Sequence, residues 1–538
     1  MTRGSVTGAQ PEAVEAGIDV LADGGNAIDA AIAAALVQTA VDPQMCGIAG
    51  FGSAHVFSAA TGQHEVFDFH GRAPLAVRED MWVDRIIGET EDGYGFLLKG
   101  QVNEIGYGAI TTPMTLRAFD DLLKAHGTRA MSQLIEPAIG YCEDGFMVRP
   151  HVARWWNEKH TKGRVPQSEY LERYPETARI YLKADGQQHQ VGEILRNPDM
   201  GKTYRRIASH GVSDFYEGEL AAQIVADIQA NGGLIEQRDL SAVRTDRTAP
   251  LWGSYRGHRI ATNQPPGGGL LVLEMLNILE HFDLAAMGHN SPEMLRCLAE
   301  AMKIATVDKE RSVGDPKFVD VPTERLTSKP YAEQMADKIR RGEKTHVPRY
   351  QPGGRESKDT THITAVDEHG CCVSMTHSLG MPAGVVTPGL GFMYNGCMGV
   401  FDPRPGNAGS LAPGKSRFSA LCPTMVFKDD ELFFVTGAPG ATYITMGVMQ
   451  SIINAVDFGM TAQEAVAAPR ISATSDTIEL SNRIFRRTER SLQEMGYPTR
   501  RFASGFMFAG VHALRFVDGV WDGGADPGRD GMAASVSN

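Results

Sequence analysis

The chain has 538 residues, a formal net charge of −13, 42% hydrophobic and 22% charged residues. That balance describes a globular protein of two or three ordinary domains, or one large elaborated one. With a pI near 5.7 and no basic stripe, it argues against nucleic acid or an anionic membrane as partner.

Helical spacing begins almost at once. Residues 11–22 form a first predicted helix, stopped by Gly24-Gly25-Asn26, and Asn26 is placed to cap a second one over 27–41. That second segment is the longest apolar run, but Asp29 and Gln38 interrupt it and it is too short to span a bilayer. The start MTRGSVTGAQPEAVEAG carries no apolar leader. The expected compartment is therefore the cytoplasm, or the periplasm if a signal was removed. Next, Gly47-Ile48-Ala49-Gly50-Phe51-Gly52 leads into a strand at Ala54–Phe57, without the GxGxxG spacing of a dinucleotide site.

Residues 113–250 read as largely helical with Pro and Gly breaks. A strand over Tyr255–Ala261 ends at Pro265-Pro266-Gly267-Gly268-Gly269, helix 270–281 follows, and a further helical pattern covers 331–341. Residues 342–358, GEKTHVPRYQPGGRESK, combine Gly, Pro and charge without apolar period and predict a solvated linker. Beyond them the pattern changes to β-hairpins. A turn at Asp367-Glu368-His369-Gly370 sets Thr360 opposite Ser378 or its neighbour His377. A second turn, Lys428-Asp429-Asp430-Glu431, sets Ser419 near Gly440.

The junction Asp359-Thr360-Thr361-His362 stands out chemically. If the Asp359–Thr360 bond were cut, Thr360 would carry both a nucleophilic hydroxyl and an α-amine able to act as its base. Ser378 is the candidate orienting hydroxyl. The N–H groups of Gly440 and Ala441, in the turn Gly437-Ala438-Pro439-Gly440-Ala441, are candidate oxyanion donors. On its own, a Thr-Thr pair before a strand is ordinary β-propensity. GxSxG, HExxH and GxxxxGK[ST] are absent from the sequence. The seven scattered cysteines, with Cys371 and Cys372 adjacent and no CxxC pair, read as free thiols. The 16 histidines show no metal spacing, and Phe392, Met393, Tyr394 and Met398 read as hairpin core.

Several passages, in order, resemble the γ-glutamyltranspeptidase (glutathione hydrolase) family nearly end to end. They are GGNAIDAAIAAALVQTAVDP (24–43), EPAIGYCEDGFMV (136–148), DFYEGELAAQIVADIQANGGLIEQRDL (214–240), SYRGHRIATNQPPGGG (254–269), GDPKFVDVP (314–322), DTTHITAVDEHG (359–370), APGKSRFSALCPTMVF (412–427) and VTGAPGATYI (435–444). The resemblance implies an α+β fold, the four-layer αββα sandwich of N-terminal-nucleophile hydrolases. It also implies autocleavage into a large subunit, 1–359, and a small one, 360–538, which together form one unit. Acyl transfer would run through a threonyl ester.

Position by position, the resemblance puts the nucleophile on Thr360 and its helper on Ser378, where threonine is usual. The oxyanion pair falls on Gly440 and Ala441, where two glycines are usual. Of two adjacent carboxylate-binding serines, Ser419 is kept and the other is Ala420. The arginine that grips the γ-glutamyl carboxylate falls on His70, with Arg72 as a possible substitute on the same strand face. The acceptors for the α-amino group fall on Gly380, Cys397 and Val400, none of them charged. The catalytic half looks intact and the half that recognises the glutamyl zwitterion looks rebuilt. The expected function is a self-processing amidohydrolase or acyltransferase acting on a small-molecule amide or short peptide whose acyl part lacks the amino group, with no metal or organic cofactor. The competing readings are a true γ-glutamyltransferase and an uncleaved, catalytically silent binding protein.

Overall fold

The computed structural model describes residues 2–90, 95–157, 164–348, 360–505 and 508–537. In chain order the elements that build the site are β1 (Thr2–Gly8), α1 (Pro11–Ala22), α2 (Ala27–Val41), β2 (Phe51–Ser58), β3 (Gln63–Phe69), β4 (Asp246–Thr248), β5 (Leu251–Tyr255), β6 (His258–Thr262), α3 (Gly269–Leu279) and α4 (Pro292–Ser312). They continue with β7 (Thr361–Asp367), β8 (Cys372–Ser378), β9 (Thr424–Lys428), β10 (Glu431–Gly437), α5 (Tyr443–Val456), α6 (Ala462–Ala467), β11 (His512–Val517), β12 (Val520–Ala525) and β13 (Met532–Ser537). One antiparallel sheet runs β13-β1-β7-β8-β2-β3-β4, and a second runs β12-β11-β10-β9-β6-β5. The sheets face each other through β7, β8, β10 and β11. Helices α1 and α2 cover the outer face of the first sheet, and α3, α5 and α6 cover the second. The stack is the αββα sandwich that the resemblance implies.

Helix α2 is buried along its whole length, because the first sheet lies on one side and further helices on the other. Its start is fastened reciprocally: Asn26 Oδ1 accepts from the N–H groups of Ile28 and Asp29, and Asp29 Oδ2 accepts from Asn26 N–H. The Asp367 carboxylate ties this helix to the hairpin beside it. It accepts from Ala27 N–H at 3.1 Å and from His369 and Cys371 N–H at 3.0 Å each. One side chain thus fixes both the turn of β7–β8 and the entry to α2.

That hairpin pairs Thr361 with His377 and Val366 with Cys372. The hairpin β9–β10 closes on Asp429 and Asp430, with φ of 51° and 63°. A bulge between Val426 and Phe427 shifts its register by one. Strand alternation sends Thr360, His362, Thr376 and Ser378 toward the second sheet, and Thr361 and His377 toward α1 and α2. Accordingly Thr361 Oγ1 donates to Gln10 Oε1 at 3.3 Å and His377 Nε2 lies 2.9 Å from Gln38 Oε1.

Sequence pattern passed over the two terminal strands. TRGSVTG and MAASVS have too little apolar alternation to announce themselves, yet β1 lies between β13 and β7 and buries the strand that follows Thr360 inside the sheet. The stretch expected to be a solvated linker is fastened in its first part. Thr345 N–H donates to Glu300 Oε2 at 2.7 Å, and Val347, which is buried, donates from N–H to Asp476 Oδ1 at 2.8 Å. The rest of that stretch, and Asp359, lie outside the described residues. Among the described residues no helix is long and apolar enough to cross a membrane.

Candidate active site

Thr360 stands at the mouth of the space between the two sheets, one residue ahead of β7. Its Oγ1 lies 3.0 Å from Ser378 Oγ, at the end of the neighbouring strand, and both residues are buried. Ser378 Oγ in turn accepts from Gly380 N–H at 2.8 Å. A φ of +73° at Gly380 turns the chain back there, a conformation glycine adopts without penalty.

Across this pair runs the turn that leaves β10. Gly440 has φ +138° and Ala441 has φ +50°, so the chain doubles back before α5 begins at Tyr443. A Cβ on Gly440 would come 2.7 Å from Ala509 Cα, so the close approach itself requires glycine. Ala441 tolerates a left-handed conformation at a modest cost. Among the described residues neither N–H donates to a backbone acceptor. The positive end of α5 lies just beyond them.

A small cavity joins Thr360 and Ser378 to Ala441, and Gly440 is not among its lining residues. It is lined by Thr360, Ser378, Gly380, Ser419, Ala420, Ala441, Phe51, Leu421, Ile444 and Arg417. Ser419 Oγ accepts from Leu421 N–H at 3.3 Å.

The expected carboxylate-binding arginine is elsewhere. Arg72 does not line the cavity: its Nη2 donates to Asp246 Oδ2 at 2.9 Å and to the Arg244 carbonyl at 3.0 Å, on the far edge of the first sheet. The strand ends at Phe69, so the expected shared strand face does not extend to His70 and Arg72, and the Asp246 carboxylate, which Lys317 also pairs with, holds the guanidinium. His70 is buried with Nε2 3.4 Å from Asp68 Oδ1, and it too is absent from the cavity wall. Cys397 sits behind that wall, its Sγ 3.4 Å from the Leu379 carbonyl. Val400 lines a separate cleft with Glu89, Asp402, Arg404 and Phe418.

The residue that sequence reasoning missed is Arg417. It lies in a quoted motif, and period-two alternation from Ser419 would have set it on the cavity side with Phe418 facing away. Its Nε donates to the Phe418 carbonyl at 2.9 Å, Nη1 lies 3.5 Å from Cys397 Sγ, and Cζ stands 4.7 Å from the centroid of the Phe51 ring. Its main-chain N–H donates to the Gly71 carbonyl at 3.1 Å, so it enters the site beside the segment that carries His70 and Arg72.

The family model described as gamma-glutamyltranspeptidase matches residues 13–536. The chain belongs to the gamma-glutamyltranspeptidase family. Among its relatives, the acylase ACY 1 proenzyme of Pseudomonas sp. (strain V22) is 36% identical over the whole chain and 94% of that protein. The glutathione hydrolase proenzyme of Escherichia coli (strain K12) is 33% identical over 87% of this chain and 80% of that protein. Of the solved structures, the cephalosporin acylase from Bacillus halodurans superposes with a TM-score of 0.86 at 27% identity, covering all of this chain and 96% of that one. As a member of this family the protein is a self-processing amidohydrolase or acyltransferase with the N-terminal-nucleophile fold.

Proposed function

We propose that the protein cuts itself between Asp359 and Thr360 and then uses Thr360 to cleave amides whose acyl part lacks an α-amino group. The observation that carries this reading is the 3.0 Å contact between Thr360 Oγ1 and Ser378 Oγ in a cavity that Ala441 also lines. For processing, Thr360 Oγ1 attacks the Asp359 carbonyl, the peptide bond shifts to an ester, and water hydrolyses it. Residues 1–359 and 360–538 then stay together as the two subunits of one sandwich.

In turnover the freed α-amine, with an ordinary pKa of about 7.7–8, takes the hydroxyl proton and passes it to the departing amine. Gly380 N–H donates to Ser378 Oγ, which polarises Ser378 as an O–H donor toward Thr360 Oγ1. The Gly440 and Ala441 N–H groups face the developing oxyanion, and one such donor is worth about 3–4 kcal/mol in the transition state. Water, or a second amine, releases the acyl group.

The choice of acyl group follows from what the site lacks and from the relatives. Among the described residues lining the cavity none carries a carboxylate to pair with an ammonium group, and pairing loss for a buried ammonium costs roughly 3–5 kcal/mol. The similarity to the acylase ACY 1 proenzyme supports acyl-amide cleavage. Intact-mass measurement and Edman sequencing of the purified protein test the processing step: the smaller chain should begin Thr-Thr-His-Ile. A single stable chain of 538 residues would sink the reading. Turnover of a glutaryl anilide should exceed that of the γ-glutamyl anilide, which differs only by the amino group, and the opposite order would restore a true γ-glutamyltransferase.

A further inference from the structure

We propose that Gln38 is a positioning residue for Thr360: through Gln10 and His377 it fastens the end of β7 that becomes a chain terminus when the precursor is cut. This rests on the reading of Thr360 as a freed N-terminal nucleophile and adds to it the group that holds it in place.

The need arises in the sheet. Strand β1 pairs with β7 only as far as Gly8 opposite Ile363, while β8 continues to His377 opposite Thr361. Thr361 and His362 are therefore laddered on one side, and Thr360 lies beyond the last pair. Once the Asp359–Thr360 bond is gone, no residue precedes Thr360, and a chain end is poorly ordered unless it is tied down.

Gln38 stands where β1 leaves off. Of the two residues that interrupt the apolar run of α2, Asp29 serves the helix cap, whereas Gln38 is fully buried under the strand ends. Its Nε2 shares two hydrogens among the Ala9 carbonyl at 3.2 Å, the His362 carbonyl at 3.3 Å and Gln10 Oε1 at 3.1 Å. Its Oε1 lies 2.9 Å from His377 Nε2, and Gln10 Oε1 also accepts from Thr361 Oγ1 at 3.3 Å. The result is a buried bridge, Thr361–Gln10–Gln38–His377, behind the residues that adjoin Thr360 and Ser378.

Each group in the bridge has one orientation. Two main-chain carbonyls can only accept, so the Gln38 amide nitrogen faces them and Oε1 faces His377. Burial keeps that ring neutral, and Nδ1 has no hydrogen-bond partner among the described residues, so the proton sits on Nε2. Gln10 Nε2 donates to Asp42 Oδ2, which His151 Nε2 approaches at 3.3 Å, and this turns Gln10 Oε1 toward Thr361 and Gln38. The backbone is strained to aim this side chain: Gln10 sits at φ +62°, a region glutamine rarely enters.

The test compares three variants as processed proteins, with kcat expressed per acylatable site so that inactive chains do not count. Gln38→Met keeps the volume and removes the bridge. It should lower kcat by about 10- to 100-fold with KM within about twofold, since a shift of about 1 Å at the nucleophile suffices. It should also speed amide hydrogen exchange in the peptide 360–366. Thr361→Val cuts one link and should move both readouts the same way by less. Thr39→Val is the control on the same helix: its hydroxyl bonds the Leu36 carbonyl and Tyr204 Oη, so Tm should fall while kcat and that exchange stay put. A normal kcat in Gln38→Met, a change confined to KM, or an equal fall in Thr39→Val would each overturn the proposal. Should the methionine variant not fold, Thr361→Val decides, and wild-type kcat with wild-type exchange there would overturn it. Failure of the underlying reading would instead appear in the wild type, as an uncleaved chain with no anilide turnover.

Discussion

The two sides of the proposed catalytic cavity are built by different means. The reaction side is backbone: Thr360 and Ser378 meet because β7 and β8 pair in one register, and Gly440 and Ala441 are held by the turn between β10 and α5. The opposite side is side chains on an irregular segment, Arg417, Ser419 and Ala420 ahead of β9, while His70 and Arg72, after β3, stay off the wall. Register is quantised, and a slip of one residue would turn Thr360 to the opposite face. Loop side chains carry no such constraint, so this side can be rebuilt by one substitution while the chemistry beside it stays fixed.

The largest effect should come from the reaction side. Thr360→Ala removes nucleophile and processing group together, so the chain should remain uncut and amide turnover should fall by on the order of 10⁴-fold or more. Mass spectrometry and a progress curve with an anilide substrate read both. An alanine variant that still splits at residue 360 would mean another group performs the cleavage.

Gly380 is where the two sides join. Its N–H holds Ser378 Oγ and its missing Cβ admits Arg417. Gly380→Ala forces an L-residue to a φ of +73° at a cost of roughly 1–2 kcal/mol and pushes a methyl group against Cys397 and Arg417. The expected result is a kcat/KM lowered by about 10- to 100-fold with only a modest fall in Tm. A variant that loses stability and keeps its kinetics would show that the junction is structural alone.

The reaction side also rests on a layer of neutral imidazoles. Burial is the chief cause that pushes His55, His377 and His512 down to about 3, and it holds His362 well below its usual 6.5. His362 sits between Thr376 Oγ1 at 2.8 Å and Thr364 Oγ1 at 2.9 Å, stacked parallel to His512. Unfolded, these rings titrate near 6.5, so below that pH the unfolded chain binds protons that the folded one refuses. Stability is therefore full above about pH 6.5 and lost as pH falls toward 3, by about 2 kcal/mol per histidine at pH 5. Denaturant midpoints at pH 7.5, 6 and 5 should fall steadily, and His512→Gln should flatten the slope. A flat profile would mean the rings are solvated.

Legibility from sequence divides along the same line. Helices 11–22 and 27–41 follow from caps and glycine stops and are observed at those bounds. The register of β7–β8 follows from counting outward from Asp367-Glu368-His369-Gly370, because the side-chain period of a strand is two. The strands β1 and β13 stayed hidden, since small polar residues become strands there only through tertiary pairing. So did α5, whose YITMGVMQSIINAV is apolar on every side. Arg417 was hidden for another reason: alternation from Ser419 gives its side, but KSRFSAL does not say that the guanidinium will fold over Phe51.

Arg72 gives the finest test of the contrast, because sequence spacing brings it to the recognition side and the structure takes it away. Its guanidinium pairs with Asp246, both partly exposed, with Lys317 sharing the carboxylate. Arg72→Ala should therefore cost about 1 kcal/mol or less in stability, since Lys317 still neutralises Asp246. KM for a carboxylate-bearing anilide should change by less than about twofold, because no atom of Arg72 borders the cavity. A tenfold rise in KM with kcat unchanged would mean that the guanidinium leaves Asp246 when substrate binds. The substrate would then be met by a side chain that moves, and the recognition side would be mobile where the reaction side is rigid.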